Sequence, residues 1–206
     1  MIVSERYRFI FAAIPKTGTH AVRQALREHL GPKDIEQVGL FETKRFPIPE
    51  LARLGHGHLS LGQVRPFLKP ELFDGFLKFA FVRNPFDRFI SYCAFRTRDD
   101  DEFVRAPQKV MWEFLNDPPM DHLLFQPQHS FLVGQSGKLM TDTLGRVETM
   151  QDSYDEIAAR IGIPSRTLDK VNDTVRGDYR EYYDDALVSA VAKIYARDLE
   201  LFGYEF

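Results

Sequence analysis

Three short stretches carry residue types that can do chemistry. Lys16-Thr-Gly-Thr19 follows Pro15 and sets an ammonium, a glycine and two hydroxyls in consecutive positions. Where such a turn leads into a helix, unpaired N–H groups of the first helical turn join the lysine. The result is an anion site suited to a phosphate or sulfate. Arg83 leaves an apolar run, and Asn84, Arg88 and Ser91 then follow at helical spacing on one face. A guanidinium and a hydroxyl so placed hold a second phosphate by charge-assisted hydrogen bonds; for Arg83 alone, a structural ion pair is an equal reading. The third stretch is His56-Gly-His58. In an extended segment residues two apart point to the same side, and a neutral imidazole suits proton removal from an alcohol. As a metal pair the two histidines lack a third ligand at convincing spacing, so no metal site is expected.

The elements that must position these residues are legible from periodicity. Arg8 to Ile14 is an apolar, aromatic run bounded by Pro15 and predicts a buried strand. From Thr19, residues Val22, Ala25, Leu26 and Leu30 recur at helical spacing until Gly31-Pro32. Phe76 to Val82 predicts the second strand. Asn84 then serves as N-cap, Pro85 suits the first helical position, and Asp87 stands three after the cap as in a capping box. Phe86, Phe89, Ile90, Cys93 and Ala94 form that helix's buried stripe.

Further along, a short helix is expected from Pro49 to Leu54 and a charged loop from Arg98 to Glu102. A helix over Pro107 to Leu115 and a strand or hairpin over Lys138 to Met150 follow. Ser153-Tyr-Asp-Glu156 reads as a capping box for a helix through Ile161. Asp184 caps a last helix with Leu187, Val191, Ile194 and Leu201 inward, ending at Gly203. Strands alternating with helices predict an α/β fold with a mainly parallel sheet. Ligands bind outside the carboxyl ends of such strands, so the turns after both strands are expected to face one ligand.

Composition narrows the class. The 206 residues fit one domain, with 18 Phe among an ample apolar fraction. One cysteine, Cys93, excludes an internal disulfide and a cysteine-ligated zinc, and its apolar neighbours predict a buried thiol. No apolar run approaches about 18 residues, so no membrane span is expected. Glu5, Arg6 and Arg8 are unlike a signal peptide, which points to a cytoplasmic protein. Residues 1–98 hold 16 Lys and Arg against 9 Asp and Glu, whereas residues 99–206 hold 11 against 21. The basic first half suits an anionic ligand near Lys16, and no basic tract for nucleic acid is present. The oligomeric state is not legible.

A nucleoside triphosphate is one candidate ligand, and a P-loop-like kinase is therefore one alternative. Lys16 precedes Gly18, however, and no glycine opens the loop as the Walker pattern requires. A non-catalytic nucleotide-binding module is the other alternative. Pro15-Lys-Thr-Gly-Thr19 after an aromatic strand, followed by Val82-Arg-Asn-Pro-Phe-Asp-Arg-Phe-Ile-Ser-Tyr92, resembles the paired nucleotide motifs of sulfotransferases. Those enzymes use 3′-phosphoadenosine 5′-phosphosulfate (PAPS) and release adenosine 3′,5′-bisphosphate (PAP). The resemblance implies a P-loop-like three-layer fold, a central sheet flanked by helices. It implies Lys16, Thr17, Gly18 and Thr19 at the 5′-phosphosulfate, with His20 beside them as a helix-start residue, and Arg83 and Ser91 at the 3′-phosphate.

Residues Arg65 to Phe81, Gly145-Arg-Val-Glu148 and Tyr179-Arg-Glu-Tyr-Tyr183 are similar to the carbohydrate branch of that family. The His-Gly-His segment resembles the one that carries the catalytic histidine in heparan sulfate 2-O-sulfotransferases. Carried across, His56 is the base, His58 assists or binds substrate, and Lys16 is catalytic at the leaving group. The implied acceptor is a saccharide hydroxyl, or within the same class a small phenol or alcohol. His122 and His129 flank Gln126-Pro-Gln128, which either lines the acceptor cleft or forms a surface loop.

Overall fold

The computed structural model describes residues 1–37, 48–169 and 177–206. Its strands are β1 (Ile2–Ser4), β2 (Phe9–Ala12), β3 (Ile35–Glu36), β4 (Leu77–Val82) and β5 (Thr143–Arg146). The helices of the first half are α1 (Thr19–Arg27), α2 (Pro49–Ala52), α3 (Leu61–Val64), α4 (Pro70–Gly75) and α5 (Pro85–Arg96). Then come α6 (Glu102–Arg105), α7 (Pro107–Asn116), α8 (Met150–Ile161), α9 (Asp185–Ile194) and α10 (Ala196–Phe202). The expected helix over residues 49–54 is the four-residue α2; the mixed stretch before it lies partly outside the described residues. The chain divides into two compact units, Met1–Val82 with Ser130–Val171 and Arg83–His129 with Asn172–Phe206.

The first unit holds a five-stranded sheet of order β3-β1-β2-β4-β5. Its heart is parallel: β2 pairs β4 with Phe11 opposite Phe79 and Ala12 opposite Ala80, and β4 pairs β5 with Phe81 opposite Gly145. β1 runs antiparallel to both β2 and β3. Strand alternation sends Phe9, Phe11, Phe79 and Phe81 to one face, where Val22, Ala25 and Leu26 of α1 and Tyr154, Ile157 and Ala158 of α8 cover them. Lys78 faces the other way, its ammonium 5.7 Å from the Phe73 ring of α4 and 2.9 Å from Asp142. Helices therefore flank the sheet on both sides, as an α/β fold requires.

Gly145 has a specific task in this sheet. A Cβ there would lie 2.6 Å from the Phe81 ring, so only glycine lets that ring cover β5. The strand or hairpin expected over Lys138 to Met150 is present as the strand β5, preceded by an isolated antiparallel bridge between Val133 and Leu139. α8, however, starts at Met150, not at Ser153. A short 3₁₀ turn, Val147–Thr149, feeds it directly, and the Ser153 hydroxyl accepts from the Arg146 N–H at 3.0 Å instead of capping.

The second unit packs α5 through Phe86, Phe89, Ile90 and Cys93 against Val110 and Met111 of α7 and Leu187 and Val191 of α9. Cys93 is buried, as expected, and burial pushes its thiol pKa well up. Asn84 caps α5 by accepting from the Phe86 N–H at 3.0 Å. Asp87 does not complete a capping box; it turns back to the Arg83 guanidinium. The charged break from Arg98 is a turn that ends where the short α6 begins, at Glu102. Asp184 caps α9 through the Leu187 N–H, but the last helix is two helices, α9 and α10, broken at Tyr195. There the Tyr195 ring is drawn inward and its hydroxyl donates to the Phe125 carbonyl at 2.9 Å. No helix among the described residues is long and apolar enough to cross a membrane.

Candidate active site

The turn from β2 into α1 has unusual backbone for a non-glycine stretch. Lys16 and Gly18 both adopt left-handed φ, 66° and 67°, the conformation that gathers N–H groups into anion-binding concavities. No side chain caps the first turn of α1, unlike the Asn84 cap of α5. The turn is closed by backbone alone, the Ala21 N–H donating to the Gly18 carbonyl at 3.2 Å. Thr17 is buried and donates its hydroxyl hydrogen to the Ile14 carbonyl at 3.0 Å, which commits that hydrogen to the turn itself. Thr19 is the buried first residue of α1, and His20 stands exposed one position on. A Cβ at Gly18 would lie 2.5 Å from the Met150 methyl, so α8 closes over the glycine.

His56-Gly-His58 is brought to the same turn. The segment bends at His56-Gly57 instead of running extended, so strand alternation does not set its side chains. Three bonds fasten its backbone and neighbourhood. The Gln37 amide donates to the His56 carbonyl at 2.9 Å and to Leu51 at 2.8 Å, and the Met1 amino group donates to Gly57 at 2.6 Å. His58 Nδ1 lies 2.7 Å from the carbonyl of Ala13, three residues before Lys16. A carbonyl only accepts, so Nδ1 carries the hydrogen and Nε2 the lone pair. Burial pushes the His58 pKa down to about 3. His56 is half-buried, and its Nδ1 is enclosed with no hydrogen-bond partner among the described residues. Burial first, then the nearby amino-terminal charge, lowers its pKa. Both rings are therefore neutral at pH 7.

Arg83 follows β4 directly. Its Nε lies 2.6 Å from Asp87 one helical turn on, which orients the guanidinium. The backbone of Arg83 is held by Gln128, a fully buried side chain: Oε1 accepts from the Arg83 N–H and Nε2 donates to the Arg83 carbonyl, each at 2.9 Å. Ser91 is half-buried on α5 and makes no hydrogen bond through its side chain among the described residues. The other two polar residues of that face are committed inside the fold. Arg88 is 2% exposed and donates to the Leu124 and Gln126 carbonyls at 3.0 and 2.9 Å. The Asn84 amide donates to Tyr179 and to the Glu205 carbonyl. One-face spacing therefore does not make Arg88 a ligand; a long cation with two carbonyls in reach is a brace.

Asp198 is a functional-looking residue that sequence reasoning passed over. It is fully buried on α10 and accepts from the N–H groups of Gln128 and His129 and from His129 Nδ1. The available signal was a carboxylate four residues after Ile194, on the inward stripe of the last helix. His122 contacts Arg96 and packs edge-on to Tyr92. A cleft of about 610 Å³ lies between Gly62–Pro66 and Gly134–Met140, with Arg65 and Lys138 in its wall. Lys16–Thr19, His56, His58, Arg83 and Ser91 are not among its lining residues. Among the described residues no three His, Cys, Asp or Glu side chains gather as a metal site.

Comparison with known proteins places this arrangement. The chain is 27% identical to an uncharacterized protein of Archaeoglobus fulgidus over 121 residues, which are 57% of this chain and 94% of that protein. No solved structure matches it. The model of the Sulfotransferase family matches residues 1–205, and the chain belongs to that family.

Proposed function

We propose that the protein transfers a sulfuryl group from PAPS to a hydroxyl of a carbohydrate, by in-line displacement with a histidine base. One observation carries the proposal. β2 and β4 are hydrogen-bonded parallel neighbours, Ala12 opposite Ala80, and each runs straight into one of the two motif turns. The uncapped first turn of α1, with Lys16 and Gly18 left-handed, fits the 5′-phosphosulfate. Arg83 and Ser91 take the 3′-phosphate. When bound, the nucleotide supplies an activated sulfuryl group.

Lys16 and the leading N–H groups of α1 neutralise the charge that grows on the bridging 5′-phosphate oxygen as its bond to sulfur breaks. Each such donor lowers the barrier by on the order of 3 kcal/mol. His56 takes the proton of the acceptor hydroxyl as its oxygen bonds to sulfur. His58 is the poorer base, since a group with a pKa of about 3 holds a proton weakly. With Nδ1 fixed on Ala13, His58 instead offers Nε2 as an acceptor that orients the hydroxyl. The saccharide acceptor rests on the likeness of the His-Gly-His segment to the heparan sulfate enzymes.

The deciding experiment incubates the chain with labelled PAPS and a panel of glycans, phenols and simple alcohols, without Mg²⁺. Label on a glycan is the expected outcome. ATP-dependent phosphorylation, or PAP binding with no transfer to any acceptor, overturns the proposal.

A further inference from the structure

The cleft between Gly62–Pro66 and Gly134–Met140 takes no part in the chemistry above, yet its walls share one character. Its volume is about 610 Å³, the scale of a small-ligand pocket and far more than one inorganic anion fills. Arg65 stands in one wall and Lys138 in the other, and no carboxylate lines the space between them. Neither cation makes an ion pair or a side-chain hydrogen bond among the described residues. Arg65 rests over the Phe73 ring at 5.4 Å, a contact that orients the guanidinium without neutralising it. The side chains of Gln135 and Ser136 also make no hydrogen bond among the described residues. Pro66, Leu139 and Met140 supply apolar surface beside them.

Both walls are held by their own backbone. Ser60 and Gln63 form a reciprocal capping box at the start of α3, at 3.1 and 2.8 Å. Opposite, the Gly134 N–H donates to the Lys138 carbonyl at 2.9 Å, and Gly137 turns the chain with a left-handed φ of 75°. The chain then reaches Asp142, whose N–H and carboxylate both bond the backbone of Lys78 near the amino end of β4. Val82, where the second motif turn leaves β4, is four residues on, about 13 Å along the strand. The Lys138 wall thus joins the sheet at the end opposite the motif turns. A group bound in the cleft adds affinity and not chemistry.

Two cations facing one space call for a ligand with separated negative charges. No aromatic side chain lines the cleft, so a nucleotide base has no ring to stack on. Amide, hydroxyl and aliphatic surface instead match the hydroxyls and C–H faces of a sugar. We infer that the cleft is a second binding site, for an acidic saccharide whose carboxylates or sulfates meet Arg65 and Lys138. It rests on the carbohydrate reading of the acceptor, and adds that the acceptor is a charged chain gripped away from the reacting hydroxyl.

The test compares the wild type with Arg65→Gln/Lys138→Gln, which removes both charges and keeps long polar side chains. Both residues are exposed, so the variant is expected to melt with the wild type. Calorimetry uses oligosaccharides of one length: a uronate form, its neutral carboxyl-reduced form, and that neutral form O-sulfated. Tight binding of the first marks the carboxylate as the recognised group, and of the third the sulfate. In either case the double variant is expected to bind about tenfold more weakly, having lost two charge-assisted contacts. The neutral form binds both chains alike. In transfer assays the KM for the charged acceptor rises, while kcat and PAP affinity hold. Without PAPS, the charged oligosaccharide is expected to shift the Met140 methyl resonance of the wild type. Equal affinity of the two chains, or equally tight binding of an oligoglutamate peptide of matched charge, overturns the inference. So does an unmoved Met140 methyl, even if the variant does not fold. Label transfer to a neutral glycan in that event leaves the sulfotransferase reading standing. Saccharide binding that needs both cations, with no transfer to any acceptor, upholds the site and removes that reading.

Discussion

Gln128 grips Arg83 by both of its backbone groups, accepting from the N–H and donating to the carbonyl at 2.9 Å each. The residue at the mouth of β4 is thereby fixed before its side chain meets any ligand. Gln128→Ala leaves two enclosed backbone groups without this partner. Such a loss costs about 2–4 kcal/mol, to be read from urea denaturation midpoints. PAP affinity is expected to fall with it, and a variant as stable as the wild type sinks this account of the clamp.

Gly18→Ala meets two obstacles at once. The left-handed φ of 67° disfavours any side chain by about 1–2 kcal/mol, and the new methyl collides with Met150. Adding Met150→Ala removes the collision but not the backbone strain. The double variant should therefore bind PAP better than Gly18→Ala and worse than Met150→Ala. Full recovery in the double variant shows that φ is not the constraint.

Lys16→Ala tests the leaving-group role. Turnover of labelled PAPS is expected to drop by about 10²–10³-fold, with the melting temperature close to wild type because Lys16 is only half-buried. Turnover near the wild-type rate removes Lys16 from the mechanism.

The two histidines make separate pH predictions. His56 must be neutral to accept a proton, and its pKa is lowered from 6.5 by burial. The acidic limb of kcat/KM therefore has its midpoint below pH 6.5 and vanishes with the activity in His56→Ala. A limb centred above pH 6.5 contradicts the assignment.

For His58 the sign runs through stability. Its pKa is about 3 folded against 6.5 unfolded, so the unfolded chain binds the extra proton between those values. The contribution is complete above pH 6.5 and is lost as pH falls toward 3. In His58→Asn, whose amide keeps a donor for Ala13, the decline in melting temperature over that window should be shallower. An unchanged slope rules His58 out as its source.

The parts of this fold that were legible in the sequence are those set by neighbours in the chain. Arg8 to Ile14 and Phe76 to Val82 declare strands by composition, and Asn84-Pro85 declares a helix start, because each signal lies within a few residues. Ser153 misled because its hydroxyl found the Arg146 N–H, a partner no local pattern reveals. Tyr195 breaks the last helix for the same kind of reason, a carbonyl 70 residues away. In the site, Lys16 and Gly18 were readable as a turn. The bracing by Arg88 and the burial of Asp198 were not, since their partners lie 36 to 70 residues distant.

The register of β4 bears on how the chain is made. Once Val82 has left the ribosome, Phe79 can settle beside Phe11 of β2. Its other flank pairs with Thr143 and waits until the whole intervening stretch has been synthesised. Through that interval the nascent protein carries a ready template of phenylalanine-rich backbone, open to any strand that arrives first. A chain stopped at residue 142 keeps that template for good, which makes β5, four residues long, the element that covers the open flank of β4.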